Sequence, residues 1–165
     1  MSNPPINIDS KTAAVFQRKN YELVRALSSG SFGQVFMAKR TDGSDEIVAV
    51  KVMDLDKAND NLKNKFYPRE MKAMIDANHR YIIRLYDIFR SNHKLYIFME
   101  FAGNGDLSGY IKKHKAIPEQ LACRWFTQTS EGLSYLHNGL FIAHRDIKLD
   151  NVLLNSENEA KLSDF

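Results

Sequence analysis

A short polar stretch in the second half of the chain carries side chains that suit the transfer of a phosphoryl group. It runs from Ile142 to Leu154, IAHRDIKLDNVLL, and apolar residues flank its polar loop on both sides. Phosphoryl transfer to a hydroxyl needs an acceptor for the hydroxyl proton, positive charge beside the departing group and a metal ligand. Asp146, Lys148 and Asn151 have the types to supply these three, and Asp164 is a second candidate metal ligand. The alternative is a solvated polar loop with unrelated charges.

A glycine-rich turn lies nearer the start of the chain. In LSSGSFGQV, Leu27 to Val35, small serines flank Gly30 and Gly33. Such a turn lets the backbone approach a bulky anion and point N–H groups at it, although by itself it more often belongs to a plain hairpin. The strand-like VFMAKR that follows excludes a dinucleotide-binding fingerprint, which opens a helix. A Walker loop is excluded because no Gly-Lys-Ser/Thr ends the turn.

A lysine at the end of an apolar strand-like run is the third candidate. Lys51 follows Val48-Ala49-Val50, and an inward-facing lysine is costly to bury without a counter-charge. Either its ammonium reaches solvent, or it contacts a phosphate while a carboxylate of the next helix holds it. Glu70 is the natural candidate for that carboxylate.

The elements that must hold these residues divide into a strand-rich first part and a helix-rich second part. Residues 1–19 are polar and predict an extension or loosely held arm. The pattern predicts five strands at Glu22–Leu27, Val35–Arg40, Glu46–Met53, Ile83–Phe89 and Leu95–Glu100. A helix is predicted from about Leu62 to Asn78, with Pro68 kinking it or starting its second half.

The second part begins after Gly105. Asp106 is predicted to cap a short helix, and Pro118 to lie in the first turn of a long one that ends at Asn138-Gly139. Its apolar stripe comprises Leu121, Ala122, Trp125, Phe126, Leu133 and Leu136. Apolar runs at Val152–Leu154 and Ala160–Leu162 then surround a turn.

The composition excludes several classes of protein. The net charge of +3 arises from 23 basic and 20 acidic residues, a balance that gives no case for nucleic acid or an anionic membrane as partner. Cys123 is the only cysteine, so no internal disulfide can form and a reducing compartment is expected. The first residues lack the shape of a signal peptide, and no apolar run reaches about 18 residues. We therefore expect an intracellular, cytoplasmic protein that does not span a membrane.

Taken in chain order, these motifs resemble the protein-kinase signature set. They are Gly30 to Lys51, Glu70, His144-Arg145-Asp146 to Asn151, and Asp164-Phe165, and the resemblance extends from about Tyr21 to Phe165. Lys148 resembles the serine/threonine branch. The stretch LKNKFYPREM and Gly105-Asp106-Leu107 resemble the calcium/calmodulin-kinase-like group, and within it the testis-specific serine kinases.

The resemblance implies an α+β, protein-kinase-like fold. After the extension at 1–19, the kinase domain would occupy residues 20–165. It would comprise a complete five-stranded N-lobe with one helix at 20–100 and a hinge at 100–105. A partial helical C-lobe at 106–165 would contain the catalytic loop. The glycine after Asp164-Phe165 and the later C-lobe segments lie outside this sequence, so we expect an incomplete domain that is inactive and only partly folded in isolation. By the same resemblance, Trp125, Phe126, Leu133 and Leu136 would pack on those later helices and would lack these partners here.

The resemblance also implies a role for each candidate residue. ATP would contact Leu27, Ser28, Ser29, Gly30, Ser31, Phe32, Gly33, Val35, Ala49, Lys51, Met99, Glu100, Ala102, Asp106 and Leu153. Leu27, Val35, Ala49, Ile83 and Leu153 would enclose the adenine, Met99 would be the gatekeeper, and Glu100 and Ala102 would bond through their backbone. Lys51 would contact the α/β-phosphates, braced by Glu70. Asp146 would be the base, Lys148 would neutralise the γ-phosphate, and Asn151 and Asp164 would hold Mg²⁺.

The expected function is that of a monomeric serine/threonine kinase that transfers the ATP γ-phosphoryl group to protein hydroxyls. Asp106 and Asp150, predicted to be exposed acids near the peptide groove, favour substrates with basic residues upstream of the target. One departure from the family pattern is Ser28, which stands where the first glycine of the turn usually lies, so ATP binding would be weaker at most. The alternative is a naturally short, non-catalytic module that binds a nucleotide or a partner.

Overall fold

A computed structural model of the chain describes residues 8–30, 33–56 and 68–165. They form two compact units. The first comprises residues up to 72 together with 85–101, and the second comprises 73–84 together with 102–165. The second unit thus takes in the segment just before the fourth strand, which the sequence analysis assigned to the N-lobe.

The first unit is built on a five-stranded antiparallel sheet. Its strands are β1 Tyr21–Gly30, β2 Gly33–Arg40, β3 Ile47–Asp54, β4 Leu85–Ser91 and β5 Lys94–Glu100. The strand order is β1-β2-β3-β5-β4. The prediction of five strands is confirmed. Their ends shift by up to three residues, because hydrogen bonding extends pairing into the polar residues that flank each apolar run.

The register of the sheet shows which side chains of neighbouring strands lie side by side on each face. Val35 of β2 lies opposite Lys51 of β3, and Lys51 lies opposite Ile97 of β5. The next row consists of Phe36, Val50 and Phe98. Because successive side chains of a strand point to opposite faces, these two rows lie on opposite sides of the sheet.

A helix covers the face that carries Phe36, Val50 and Phe98. This helix, α1, runs from Ser10 to Arg18, and its Val15 and Phe16 belong to the same buried cluster as that row. Asp9 caps it, since the carboxylate accepts from the N–H of Thr12 at 3.0 Å. The prediction of a loosely held arm is therefore wrong for these residues. Val15 and Phe16, together with ion pairs at both ends of the helix, hold this short segment on the apolar face of the sheet.

The helix after β3 begins, in the part of the chain that is described, at Pro68. This helix, α2, ends at Asp76. The predicted stretch before Pro68 lies outside the described residues.

The second unit contains two helices and a small hairpin. The helices are α3 Leu107–His114 and α4 Glu119–Ser134, and a π-helical turn, Tyr135–Gly139, continues α4. A 3₁₀ turn at Leu149–Asn151 leads into β6 Val152–Leu154, which pairs with β7 Ala160–Leu162. The predicted cap is confirmed, because Asp106 accepts from the N–H of Gly109 at 2.7 Å. The predicted end of the long helix is confirmed as well.

The buried side of α4 differs from the predicted stripe. Trp125, Gln128, Gly132 and Leu136 are buried, whereas the side chain of Phe126 is 74% exposed. The buried positions follow the i, i+3, i+4 spacing of one helix face, and Phe126 lies about 100° round the helix from Trp125. Among the described residues, none of the helices combines the length and the apolar character that crossing a membrane would require.

Candidate active site

Asp146 lies at the centre of a hydrogen-bonded group in the loop between α4 and β6. Lys148 Nζ donates to its Oδ2 at 2.7 Å, and Asn151 Nδ2 donates to the same oxygen at 2.9 Å. Asn151 Nδ2 also donates to the backbone carbonyl of Asp146 at 2.8 Å. Within the described part of the chain, both hydrogen bonds received by the carboxylate end on Oδ2. Neither of these two hydrogen bonds involves Oδ1.

The electrostatics of this loop keep both charged groups ionised. The hydrogen bond from Lys148 lowers the pKa of Asp146 below its ordinary value, and the one from Asn151 lowers it further. In return, Asp146 raises the pKa of Lys148, and the carboxylates of Asp150 and Asp164 raise it too. Asp164 therefore lies within electrostatic reach of the Lys148 ammonium. Asp146 is a carboxylate and Lys148 is a cation at neutral pH.

The backbone of the loop is held by buried neighbours. His144 is buried, and its Nδ1 accepts from the N–H of Asp146 at 3.4 Å. Arg145 has a φ of +65°, in the left-handed region that few residues other than glycine adopt. Strained backbone of this kind concentrates at functional sites, where the surrounding structure compensates for it.

The β6–β7 hairpin connects Asn151 to Asp164. Asn151 precedes β6, and its backbone carbonyl accepts from both the N–H of Ser163 at 2.9 Å and the Ser163 hydroxyl at 3.1 Å. Asp164 follows directly, with a φ of +63°. Asn151 and Asp164, which are far apart in sequence, thus both lie at the base of this hairpin.

This hairpin is anchored by three side chains, and the sequence pattern predicts none of these anchoring contacts. Gln128 of α4 is buried, and its Oε1 accepts from the N–H of Ala160 at 2.8 Å. Trp125 Nε1 donates to the carbonyl of Asn158 at 2.9 Å, and Asn104 Nδ2 donates to that of Asn155 at 2.9 Å. The sequence did contain one indication of the role of Gln128: it is a polar residue at a position where helical spacing predicts a buried side chain.

Asn151 and Asp164 suit the Mg²⁺ that the family resemblance implies. Because the Asn151 amide nitrogen donates to Asp146, the amide oxygen is the atom left for a metal. Among the described residues no three His, Cys, Asp or Glu side chains gather into a metal cluster. A pair of oxygen ligands is consistent with the coordination of Mg²⁺ in proteins. One or two carboxylates commonly bind this ion, and phosphates and water complete its coordination sphere.

The first unit carries the residues predicted to contact ATP from the sheet. Val35 and Lys51 share one row, and the adjacent row on the same face contains Ala49 and Met99. These four residues therefore lie on one face of the sheet, the one opposite α1. The register adds Met37 and Ile97 to this face, which spacing within single strands could not reveal.

The glycine-rich turn joins β1 to β2. Leu27, Ser28 and Ser29 belong to β1, which ends at Gly30, and Gly30 pairs with Gly33. A Cβ at Gly33 would lie 2.2 Å from the carbonyl oxygen of Val52, so only glycine fits against β3 there. Ser31 and Phe32 lie outside the described residues, as does the side chain of Glu70, although its backbone is part of α2.

The remaining predicted contacts are placed as follows. Glu100 is the last residue of β5 in the first unit, and Ala102 is half-buried in the second. Asp106 forms an antiparallel bridge with Leu153 in addition to capping α3. Ile83 is buried within the second unit, and its N–H donates to the carbonyl of Leu162 at 2.8 Å.

Comparison with known proteins gives consistent results. The family model described as protein kinase domain matches residues 21–165. Testis-specific serine/threonine-protein kinase 4 of Homo sapiens is 41% identical over 145 residues, which are 88% of this chain and 44% of that protein. Testis-specific serine/threonine-protein kinase 1 of Mus musculus is 40% identical over 154 residues, 93% of this chain and 42% of that protein. An Aurora kinase of Schizosaccharomyces pombe is 35% identical over 145 residues, 88% of this chain and 40% of that protein. The chain thus spans less than half the length of these curated relatives.

Proposed function

This chain belongs to the protein kinase family, and we propose that it forms the nucleotide-binding sheet and catalytic loop of a serine/threonine protein kinase. The observation that carries the proposal is the group around Asp146. A carboxylate with one oxygen held by Lys148 and Asn151 presents the other to an incoming hydroxyl.

The chemistry follows from the charges in this group. Asp146 Oδ1 accepts the proton of a serine or threonine hydroxyl as the hydroxyl oxygen attacks the γ-phosphorus of ATP. The bond from that phosphorus to the β,γ-bridging oxygen breaks, and ADP leaves. The Lys148 ammonium lies one hydrogen bond from Asp146, where it offsets negative charge on the transferred phosphoryl group. Asn151 and Asp164 would hold Mg²⁺, which neutralises charge on the phosphates when bound.

The sheet supplies the complementary part of the proposal. Lys51 would contact the α- and β-phosphates from its row on the face opposite α1, with Glu70 as its partner. Ala49, Val35 and Met99 share that face and offer an apolar surface for the adenine. Gly33 lies directly against β3, where a Cβ would clash, and backbone N–H groups of the turn would contact the phosphates.

The preferred protein substrates are proposed to carry basic residues upstream of the acceptor hydroxyl. Two carboxylates of the second unit support this preference. Asp150 is exposed beside the catalytic loop, and Asp106 lies at the start of α3, where it is half-buried rather than fully exposed. The whole kinase is also proposed to be monomeric and intracellular, and the single cysteine motivates the intracellular setting.

The test separates binding from transfer. Mg-ATP binding to the 165-residue chain is measured by calorimetry. Phosphoryl transfer to a serine peptide is measured with residues 1–165 joined to the remaining length of the human relative. Asp146→Asn in this chimera should lower transfer about 10²–10⁴-fold, because a positioned base typically contributes that much. Its Mg-ATP affinity should stay within about twofold, since Asn keeps the shape of the side chain.

Two controls define the result. The native relative shows that the assay works, and Glu157→Gln in the chimera removes an exposed carboxylate of the second unit without touching the base. A near-normal transfer rate for Asp146→Asn would refute the assignment of the base. Binding of Mg-ATP with no transfer by any chimera would instead favour a non-catalytic module.

A further inference from the structure

The α1 helix lies outside the matched kinase domain, which begins at residue 21, yet it is tied to the sheet at both ends. At its start, Lys94 of β5 pairs with Asp9 and donates to the Thr12 hydroxyl at 3.0 Å. At its end, Lys19 Nζ lies 2.7 Å from Asp87 Oδ2 of β4 and 4.4 Å from the centre of the Phe89 ring. Two ion pairs therefore fix α1 across β5 and β4.

The middle of the helix is held by apolar packing. Phe16 meets Phe36 edge-on with ring centres 6.2 Å apart and lies 5.8 Å from Phe98. Val15 and Phe16 are both about 2% exposed. The buried cluster that they join also contains Val50 and Val52, the two residues that flank Lys51.

The length of α1 makes this docking conditional. A helix of 9 residues is too short to persist alone in water, because stable isolated helices need about 12–15 residues. If its contacts with the sheet are lost, α1 therefore undocks and unfolds in the same step. Release would also uncover the aromatic face formed by Phe36 and Phe98.

We propose that docking of α1 sets the affinity of the first unit for Mg-ATP by fixing β3 from the face opposite Lys51. This inference rests on the proposed function. Val50 and Val52 point towards α1 while Ala49 and Lys51 point away, so packing on one face fixes the twist of β3 and with it the position of the Lys51 ammonium. The apparent affinity falls in proportion to the fraction of molecules in which α1 is docked.

The test changes the sheet rather than the helix, so that the helix propensity of α1 is unaltered. In the 165-residue chain, Lys94→Glu places a carboxylate against Asp9, and Asp87→Lys places an ammonium against Lys19. Each should weaken Mg-ATP binding about three- to tenfold, as expected if a substantial fraction of α1 undocks. Hydrogen exchange over residues 10–18 should accelerate in both variants.

The two substitutions alter the net charge in opposite directions, which excludes a bulk effect on anionic ATP. Such an effect would weaken binding in Lys94→Glu and strengthen it in Asp87→Lys, a pattern that would overturn the proposal. Lys94→Arg and Asp87→Glu keep the ion pairs and should bind within about twofold of the wild type. Lys39→Glu is the matched control, because it breaks the Lys39–Asp45 pair of the same unit away from α1.

A purely structural role for α1 gives a different result. Lys94→Glu would then lower the melting temperature but leave the Mg-ATP dissociation constant unchanged well below it, and the inference would be wrong. If the wild-type chain itself fails to bind Mg-ATP, the proposed nucleotide site and this inference both fail. Unchanged affinity in the variants, with normal binding by the wild type, refutes only the role of α1.

Discussion

Hydrogen bonds link three polar side chains of the proposed catalytic loop. Asp146, Lys148 and Asn151 are close in sequence, so a short loop can bring them into one hydrogen-bonded group. The structure also assigns tasks that spacing cannot. Asn151 donates to Asp146 through its amide nitrogen, and one carboxylate oxygen of Asp106 caps α3. Such orientations depend on neighbours in space, which a single sequence does not specify.

The double use of Asp106 determines how its role in substrate preference has to be tested. Reversing its charge would also remove the cap of α3, and loss of a cap typically costs about 0.5–2 kcal/mol. Asp106→Asn removes the charge but keeps a capping oxygen. Combined with Asp150→Asn in the chimera, it should reduce the preference for basic upstream residues about 3–10-fold, the effect of losing two partly exposed ion pairs.

The measurement is a peptide array in which the position and charge of upstream residues vary. Asp45→Asn removes an acid of the first unit and serves as the control for net charge. An array profile that is the same for the double variant and the wild type would remove the basis for the proposed preference.

At the scale of elements, alternation and helical spacing were sufficient for the strands of the sheet and for α3 and α4. They failed for α1, where Val15, Phe16 and the ion pairs at both ends carry the docking and most other residues of the helix are polar or small. They also failed to show how the β6–β7 hairpin is held. Gln128 and Asn104 reach it from distant positions in the chain, and only the folded topology reveals such contacts.

Close approach of α4 to the segment before β4 gives a prediction for one glycine. A Cβ at Gly132 would lie 2.7 Å from the carbonyl oxygen of Tyr81, a backbone atom that cannot rotate away. Tyr81 in turn accepts from the N–H of Leu162, and β7 ends at that residue. Gly132→Ala should therefore separate α4 from β7 and reduce the free energy of unfolding by about 1–3 kcal/mol, as overpacking does.

Gly139→Ala is a suitable control, because the nearest atoms to its Cβ would be in the Tyr135 ring at an ordinary 3.5 Å. Urea unfolding of the two variants should show a lower midpoint for Gly132→Ala, while Gly139→Ala stays within about 0.5 kcal/mol of the wild type. Equal stability of both variants would mean that α4 can move away from Tyr81 without loss.

For the whole molecule, the apolar side chains that face solvent decide how the 165-residue chain behaves alone. From the sequence we expected Trp125, Phe126, Leu133 and Leu136 to lack their packing partners in this chain. Trp125 and Leu136 are instead buried within the second unit. Among large apolar side chains of the described residues, Phe126 is 74% and Phe141 is 89% exposed, with Ile147 and Leu149 about half exposed.

These exposed rings predict self-association rather than general unfolding. Covering an exposed large apolar side chain contributes roughly 1.5–3 kcal/mol, so rings this exposed favour contact with another protein surface. Phe126→Ser with Phe141→Ser should therefore reduce light scattering and shift sedimentation towards the monomer. Because both rings already face solvent, the free energy of unfolding should change by less than about 1 kcal/mol.

Trp125→Ser provides the contrast. It removes a buried ring that packs on Tyr110 and donates to the carbonyl of Asn158, and it should lower the free energy of unfolding by about 3–5 kcal/mol. If self-association persists unchanged in the double variant, another surface mediates it and these two rings have no role in the association.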